Sequence, residues 1–468
     1  MLSWTPEVVV LLLVLAAFGN VQYHLGHRWF GLDEVSPATR PAQVAPPVGL
    51  DLVAGSVAPP VAASSPGTPI SADAVRSALA PVLADAKLGK HLTVQVSDVA
   101  TGKVVFARGR DAVTPASTNK LLTATAALET LGPMARFSTR VVVTGNRVTL
   151  VGGGDPFLAS TPAKAKGQYP ARADLQTLAG RAAAALATRG TRQVRLSYDT
   201  SLFSGPAVDP HWPASYVSEG VVPPVTALWA DEGRDAGGHY VADPAKAAAA
   251  AFAAALRRAG ITVTGPVRER TAAPAATPLA EMKSSPLGEI VQQTLAVSDN
   301  NAAEVIAHQV GIVTGKGGSY AGGAAGVFSV LRKLGIDTTG SQVYDGSGLS
   351  RDDSLTGATL LDVVEVAASA EHPQLREVLT GLPVAGFSGS LQRRFDKGPD
   401  DARGRVRAKT GTLTGVHGLA GLAVDVDGNL MAFVMVADRV PPADNAGAQH
   451  DLDLMAGALG SCHCGATG

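Results

Sequence analysis

The segment Thr114-Pro115-Ala116-Ser117-Thr118-Asn119-Lys120 places a hydroxyl and an amine three positions apart at the start of a predicted helix. Thr114 is a suitable N-cap, Pro115 suits the first helical position, and Gly132-Pro133 ends the apolar run that follows. The pattern predicts a buried helix over about residues 115–131. Because residues at i and i+3 share a helix face, Ser117 and Lys120 are expected to lie side by side.

A serine beside a lysine in the first turn of a helix is a candidate nucleophile with its base. A free serine hydroxyl is a poor nucleophile, and a lysine can activate it if burial and nearby positive charge keep the amine neutral. Unpaired N–H groups of the first turn also favour negative charge near Ser117. By itself the spacing favours the ordinary alternative, a helical serine and a surface lysine, so the interpretation as a catalytic pair depends on partners elsewhere in the chain.

Composition sets the class of protein. The chain has 468 residues, of which 46% are hydrophobic, and this is enough for a globular protein of two or three domains. Its 39 basic and 40 acidic side chains give a net charge of −1, so no global field favours nucleic acid, and none is expected as a partner. The two cysteines, Cys462 and Cys464, are too few for a zinc site and are interpreted as a tail with a possible local disulfide.

The N-terminal part differs from the rest in composition. An apolar run over residues 8–18 indicates a signal peptide or an N-terminal membrane anchor within residues 1–26. Glu7 and the lack of a basic segment before the run argue against a cleaved signal, and a buried core helix is the alternative. Residues 27–70 form a Pro- and Ala-rich linker, which is either a tether that holds an enzyme near a membrane or a mere spacer.

Periodicity predicts the elements of the folded body. Residues 71–135 are expected to hold a helix capped by Ser71, a β-hairpin over 92–107 and the Ser117 helix. Residues 136–280 differ from the preceding segment in their pattern of predicted elements and indicate an inserted mixed α/β domain. Its predicted elements are a hairpin at 138–151, a strand at 192–198 and Ala-rich helices at 174–187 and 244–259. Residues 281–468 end in three antiparallel strands, 406–412, 418–424 and 430–437, and a closing helix over about 449–459.

Two further motifs contain side chains suited to a polar site. Ser298-Asp299-Asn300 precedes a helix, with Glu304 placed as in a capping box with Asn301, so these residues are alternatively simple turn and cap residues. Lys409-Thr410-Gly411 lies on a predicted strand edge, where glycine permits close approach of a ligand. The alternative for Lys409 is an edge-strand lysine that discourages aggregation.

The three motifs, in this order, resemble those of the penicillin-binding serine transferases. The sequence is most similar to the low-molecular-mass class C, type 4 D-alanyl-D-alanine carboxypeptidases and endopeptidases, over roughly residues 71–459. Gly152-Gly153-Gly154-Asp155-Pro156 and the segment 345–350 also look like family signatures. The resemblance implies an α+β fold: a transpeptidase/β-lactamase-like domain, with a five-stranded antiparallel sheet and helices on both faces, interrupted by the inserted domain.

The resemblance also implies roles for the residues of the three motifs. Ser117 would attack the carbonyl of the penultimate D-alanine, Lys120 would accept its proton, and Ser298 would pass a proton to the leaving amine. Backbone N–H groups of Ser117 and Thr412 would form the oxyanion hole.

The remaining roles concern binding of the substrate. Asn300 would hold the peptide amide, and Lys409, Thr410 and Thr412 would receive the terminal carboxylate, with Gly411 part of the same binding strand. A cation suits a substrate that ends in a carboxylate, and Lys409 would also lower the pKa of Lys120. The implied partners are peptidoglycan peptides and β-lactam inhibitors, without a cofactor or metal, in an extracytoplasmic location.

Two other functions fit parts of the pattern. A β-lactamase shares the motifs, but the sequence has no Glu-x-x-Leu-Asn segment to position a deacylating water. A non-catalytic cell-wall-binding protein with a vestigial site is the other alternative, and intact triplets in all three motifs argue against it. Penicillin labelling and turnover of a chromogenic cephalosporin distinguish these functions.

Overall fold

The structure is a computed structural model that describes residues 68–399 and 402–465. The predicted signal or anchor at residues 1–26 and nearly all of the predicted linker at 27–70 lie outside the described residues. Within those two ranges, no helix has the length and apolar character needed to cross a bilayer.

The first part of the body contains a helix, a hairpin and a central helix, as predicted. The elements are α1 (Ala72–Leu83), β1 (His91–Asp98), β2 (Lys103–Arg108) and α2 (Lys120–Leu131). Ser71 caps α1 by accepting a hydrogen bond from the backbone N–H of Ala74 at 3.3 Å.

The central part, which corresponds to the predicted insertion, is mixed in secondary structure. Its elements are β3 (Ser138–Thr144), β4 (Arg147–Val151), α3 (Pro162–Ala165), α4 (Leu175–Thr188), β5 (Gln193–Asp199), α5 (Ser215–Ser218), α6 (Pro244–Arg258), β6 (Thr262–Val263), β7 (Arg268–Glu269) and β8 (Thr277–Lys283).

The last part of the body consists of helices, then three strands, and a final helix. They are α7 (Leu287–Val297), α8 (Asn300–Val313), α9 (Tyr320–Lys333), α10 (Gly357–Ala368), α11 (Arg376–Thr380), β9 (Val406–Leu413), β10 (Val416–Val424), β11 (Leu430–Asp438) and α12 (Asn445–Ser461).

The first two strands and the last three strands of the described chain form one sheet. Its strand order is β2-β1-β11-β10-β9, and every neighbouring pair is antiparallel. The first hairpin joins the C-terminal strands through β1 and β11, with His91 opposite Asp438. This confirms the predicted five-stranded antiparallel sheet, made of two strands before the insertion and three after it.

Helices cover both faces of this sheet. Successive residues of a strand point to opposite faces, and the buried residues of β11 divide accordingly between two apolar clusters. Val434 and Val436 share a cluster with Leu121 of α2, whereas Phe433 shares the other with Leu452 of α12. Each fully buried side chain of this size contributes about 1.5–3 kcal/mol, so both layers stabilise the sheet. The predicted α+β class is confirmed.

The central part has its own sheet and its own apolar cluster. The strand order is β6-β5-β4-β3-β8, with β7 paired to β5, and parallel and antiparallel pairs are both present. Buried side chains of α4 and α6, including Phe252, pack together with those of the sheet. Because β8 ends at Lys283, the sheet continues past the predicted boundary at residue 280. The division into domains stays a prediction.

The C-terminal cysteines are part of the packed body. Cys462 and Cys464 form a disulfide, and Cys464 is fully buried. The carbonyl oxygen of Cys464 accepts a hydrogen bond from the N–H of Ser71 at 2.8 Å. The interpretation of these residues as a tail is therefore wrong, because they join the end of the described chain to the first helix.

Candidate active site

The turn that carries Ser117 differs from the predicted helix start. Residues Ala116–Asn119 form a 3-10 turn, and the α-helix begins only at Lys120. Thr114 does not cap it, because Pro115 is the residue that precedes the turn and no side chain of the described residues accepts a hydrogen bond from the first N–H groups of the turn. The backbone N–H of Thr114 is instead bonded to the Asp438 carboxylate at 2.9 Å. Ala116 has a left-handed φ of 47°, a conformation that costs a non-glycine residue about 1–3 kcal/mol. Ser117 is left partly exposed, whereas Lys120 is buried.

Lys120 is held at the centre of the site by three acceptors. Its Nζ donates to Ser117 Oγ at 2.8 Å, to Asn300 Oδ1 at 2.7 Å and to the carbonyl oxygen of Ser347 at 2.8 Å. A neutral amine has only two N–H groups and one lone pair. The Asn300 amide oxygen and the Ser347 carbonyl oxygen can only accept, so in the neutral form they take both N–H groups of Lys120. The lone pair of the neutral amine then faces Ser117 and can accept the hydrogen bond of its hydroxyl.

The charge on Lys120 is weakened by its surroundings. Burial lowers the pKa of Lys120 to about 8, although the nearby carboxylates of Asp345, Glu304 and Asp299 oppose this change. Burial, rather than the expected repulsion from Lys409, is therefore the main cause. At neutral pH a useful fraction of Lys120 is available as a base.

The second motif forms the turn between α7 and α8. Ser298 ends α7 with a left-handed φ of 59°, and Asp299 caps α8 by accepting from the N–H of Ala302 at 3.0 Å. The predicted capping box is wrong, because Glu304 points into the interior instead of back to Asn301. Its two carboxylate oxygens accept the backbone N–H groups of Gly346 at 2.9 Å and Ser347 at 2.8 Å.

The third motif lies on β9, an edge strand of the five-stranded sheet. Lys409 is fully buried, so it is not a solvent-exposed edge lysine. Its Nζ donates to Ser298 Oγ and to the carbonyl oxygen of Thr410, both at 2.8 Å. Burial, with Lys120 and Arg394 as nearby cations, lowers the pKa of Lys409 well below its usual value. An incoming carboxylate would oppose this effect and favour the charged amine.

The rest of β9 forms an accessible edge beside Ser117. A Cβ atom on Gly411 would lie 2.7 Å from the carbonyl oxygen of Pro115, so only glycine fits where the strand passes the serine turn. The hydroxyl of Thr410 is within 2.8 Å of Ser390 Oγ, and Thr412 is exposed. The eight residues predicted from the sequence thus surround one place, with one hydrogen-bonded group around Lys120 and a second around Lys409.

The loop at residues 345–350 forms one wall of the site. In the sequence this segment was identified only by its resemblance to a family signature. Asn119 Nδ2 donates to the carbonyl oxygen of Asp345 at 3.0 Å, and Thr123 Oγ1 donates to that of Gly346 at 2.7 Å. The Asp345 carboxylate accepts from Trp212 Nε1 at 2.6 Å, which ties the loop to the central part of the chain. Glu304 and the carbonyl of Ser347 were missed, because a buried acid and a backbone acceptor have no distinct sequence signal.

The glycine-rich signature, residues 152–156, has a packing role. The carbonyl oxygen of Gly153 accepts from Gln309 Nε2 of α8 at 2.8 Å. A Cβ atom on Gly153 would lie 2.0 Å from the carbonyl oxygen of Ser138, so a side chain there is excluded. This turn therefore fixes the central part against the helix that begins at Asn300.

No group of three or more His, Cys, Asp or Glu side chains in the described ranges is arranged to hold a metal ion. The chemistry that the described site itself offers is an activated hydroxyl, a buried amine and an anion-binding edge. This combination suits acyl transfer on a substrate with a carboxylate close to the reacting carbonyl.

Comparison with known proteins agrees with this geometry. Residues 75–237 and 235–459 match the D-Ala-D-Ala carboxypeptidase 3 (S13) family. The chain is 36% identical over 470 aligned positions to carboxypeptidase DacB of Mycolicibacterium smegmatis, covering 98% of this chain and 97% of that protein. It is 32% identical over 434 positions to a D-alanyl-D-alanine carboxypeptidase of an Actinomadura species, covering 73% of this chain and 77% of that protein.

A solved structure shares the fold. The crystal structure of penicillin binding protein 4 from Haemophilus influenzae superposes with a TM-score of 0.68 at 22% identity, covering 80% of this chain and 98% of that one. The match to the family spans most of the chain and includes all three motifs. The chain therefore belongs to the S13 peptidase family and is a serine-type D-alanyl-D-alanine carboxypeptidase.

Proposed function

We propose that the carboxypeptidase reaction proceeds through an ester on Ser117, with Lys120 as the base. The single observation that carries this proposal is the 2.8 Å contact between Lys120 Nζ and Ser117 Oγ, in which the amine is fully buried and has a lowered pKa. Removing the hydroxyl proton in the attack needs a neutral amine within hydrogen-bond reach. Lys120 lies within that reach, and its lowered pKa leaves a fraction of the amine neutral at neutral pH.

In acylation, Ser117 Oγ bonds to the carbonyl carbon of the penultimate D-alanine while its proton moves to Lys120 Nζ. Backbone N–H groups of Ser117 and Thr412 stabilise the oxyanion. The carbon–nitrogen bond then breaks, and Ser298 relays to the leaving amine of the terminal D-alanine the proton that Lys120 accepted, so that Lys120 is neutral again when water attacks the ester. Water subsequently hydrolyses the ester and releases the shortened peptide.

Substrate recognition is assigned to the edge strand and to Asn300. The terminal carboxylate binds Lys409 and the hydroxyls of Thr410 and Thr412, because the buried Lys409 amine lies on the same strand as the exposed Thr412 and is favoured in its charged form once a carboxylate pairs with it. Asn300 holds the peptide amide and at the same time accepts a hydrogen bond from Lys120 at 2.7 Å. Binding of the substrate and orientation of the base thus share one side chain.

The natural substrate is a peptidoglycan stem peptide that ends in D-alanyl-D-alanine, and β-lactams acylate the same serine. The H. influenzae protein of the same fold has been crystallised with a β-lactam. We expect the penicilloyl ester to be long-lived, because its leaving nitrogen stays attached through the ring and the sequence has no Glu-x-x-Leu-Asn segment. Cleavage of cross-linked peptides, an endopeptidase activity, would use the same chemistry.

The enzyme is proposed to act outside the cytoplasmic membrane and to be attached through residues 1–26. The apolar run at 8–18 and the Pro-rich segment that follows support this location. The Cys462–Cys464 disulfide is consistent with an oxidising compartment. Recovery of the full-length chain from the soluble cytoplasmic fraction would contradict the proposal.

The function is tested with a peptide ending in D-alanyl-D-alanine and with a chromogenic cephalosporin. The proposal predicts release of D-alanine from the peptide and slow, near-stoichiometric reaction with the cephalosporin. Rapid multiple turnover of the cephalosporin without D-alanine release would instead favour a β-lactamase.

A further inference from the structure

The central part of the chain places a small hairpin against the second motif. Residues 233–241 fold back on themselves, with the N–H of Val241 bonded to the carbonyl oxygen of Gly233 at 2.9 Å. Asp235 holds the tip, because its Oδ1 accepts the N–H groups of Gly237 at 2.8 Å and His239 at 2.9 Å. The hairpin is therefore an ordered element rather than a loose connection.

Tyr240 joins this hairpin to the start of α8. Its hydroxyl accepts a hydrogen bond from Asn301 Nδ2 at 2.9 Å, and Asn301 is only 4% exposed. Asn301 directly follows Asn300, which contacts Lys120. The hairpin thus lies next to the residue that is proposed to hold the peptide amide of the substrate.

Arg234 is fixed on the surface of this hairpin. Its guanidinium carbon lies 3.7 Å from the centre of the Tyr240 ring, and it donates to the Tyr240 hydroxyl at 2.5 Å and to the carbonyl oxygen of Gly238 at 2.7 Å. These bonds occupy two of its five N–H groups. Within the described ranges no carboxylate lies within 4 Å of Arg234, although the neighbouring Glu232 pairs with Arg172 at 2.9 Å.

We propose that Arg234 binds a carboxylate on the acyl part of the substrate peptide, upstream of the bond that is cleaved. The inference rests on the proposed function, because it requires the peptide to run past Asn300. A planar guanidinium that is already oriented by an aromatic ring and two hydrogen bonds loses little side-chain entropy when it binds a carboxylate. An amide at the same position of the peptide would lose the ion pair.

The test compares two peptides that end in D-alanyl-D-alanine and differ at one upstream residue, which carries either a free carboxylate or the matching amide. The enzyme and its Arg234→Gln variant are assayed for D-alanine release from both. The variant should lose about tenfold in kcat/KM on the carboxylate peptide, mainly through KM, and should be unchanged on the amide peptide. Arg234→Lys, which keeps the charge, should retain part of the preference.

Arg258→Gln serves as the matched control, because Arg258 is another exposed arginine of the central part, in the last turn of α6. It should leave both peptides unaffected. Equal losses on both peptides, or no loss on the carboxylate peptide, would overturn the role of Arg234. Absence of D-alanine release from either peptide by the unaltered enzyme would instead overturn the proposed function itself.

Discussion

Replacing Glu304 by Gln should move the pH dependence of acylation to lower pH. Glu304 is fully buried behind the loop at residues 345–350 and is one of three carboxylates that raise the pKa of Lys120 against the effect of burial. Lys120 acts as a base only when it is neutral, so the rate rises with pH through its pKa. Removing a negative charge lowers that pKa, and the acid limb of kcat/KM must then shift downward.

The size of the shift follows from the geometry. Glu304 and Lys120 both bond to Ser347, one to its N–H and the other to its carbonyl oxygen, at 2.8 Å each. This places the two charges about 7 Å apart, and at an effective dielectric constant of about 20 they interact by roughly 2.4 kcal/mol, or about 1.7 pH units, when Glu304 is fully ionised. This value is the upper limit of the shift, because burial and the nearby Asp345 raise the pKa of Glu304 well above its usual value. From the pKa of about 8 in the unaltered protein, the variant is expected to titrate at a lower pH, down to about 6.

The assay is kcat/KM for penicillin acylation between pH 5 and 10, measured on the Gln variant and on Glu281→Gln, in which an exposed glutamate of β8 is changed. The control should titrate like the unaltered enzyme. A lower plateau with an unmoved acid limb would mean that Glu304 only supports the loop. A shift to higher pH would contradict the electrostatic reasoning outright.

Two further outcomes follow from the site and the core. Lys409→Ala should slow acylation by penicillin by at least about 30-fold, because the buried partner of the penicillin carboxylate is lost. Acylation by a penicillin ester, which lacks that charge, should be nearly unaffected. Equal slowing of both reactions, measured by stopped-flow, would refute the assignment of Lys409 to the carboxylate. Phe252→Ala should lower the free energy of unfolding by about 3–5 kcal/mol, because Phe252 is fully buried in the cluster of the central part; a denaturant titration with less than about 1 kcal/mol of change would contradict that packing.

The elements with clear periodicity could be predicted from the sequence. The strands 416–424 and 430–438 are apolar runs separated by turn residues, and the strand 406–413 that precedes them contains the third motif. Forming the sheet then required only that these three strands pair with the early hairpin. The three motifs likewise identified Ser117, Lys120 and Lys409 before any geometry was known.

The details that the sequence could not give depend on tertiary contacts. Local propensity placed Thr114 at an N-cap, but the serine lies in a 3-10 turn that begins after Pro115 without a side-chain cap. The N–H of Thr114 is held by the Asp438 carboxylate of a distant strand. Glu304 has the sequence position of a capping-box residue, but its carboxylate instead accepts hydrogen bonds from two backbone N–H groups that are 42 and 43 positions away. Neither partner is visible to reasoning over a short window of sequence.

The most direct test of the account is the mass of the protein after incubation with penicillin, for the unaltered chain and for Ser117→Ala. Because Ser117 is partly exposed, the substitution should leave the fold intact, which circular dichroism checks. We expect one added penicilloyl group on the unaltered chain, located by digestion to the peptide that contains Ser117, and no addition to the variant. Undiminished acylation of the variant, or a label at another residue, would contradict the assignment of Ser117 as the nucleophile.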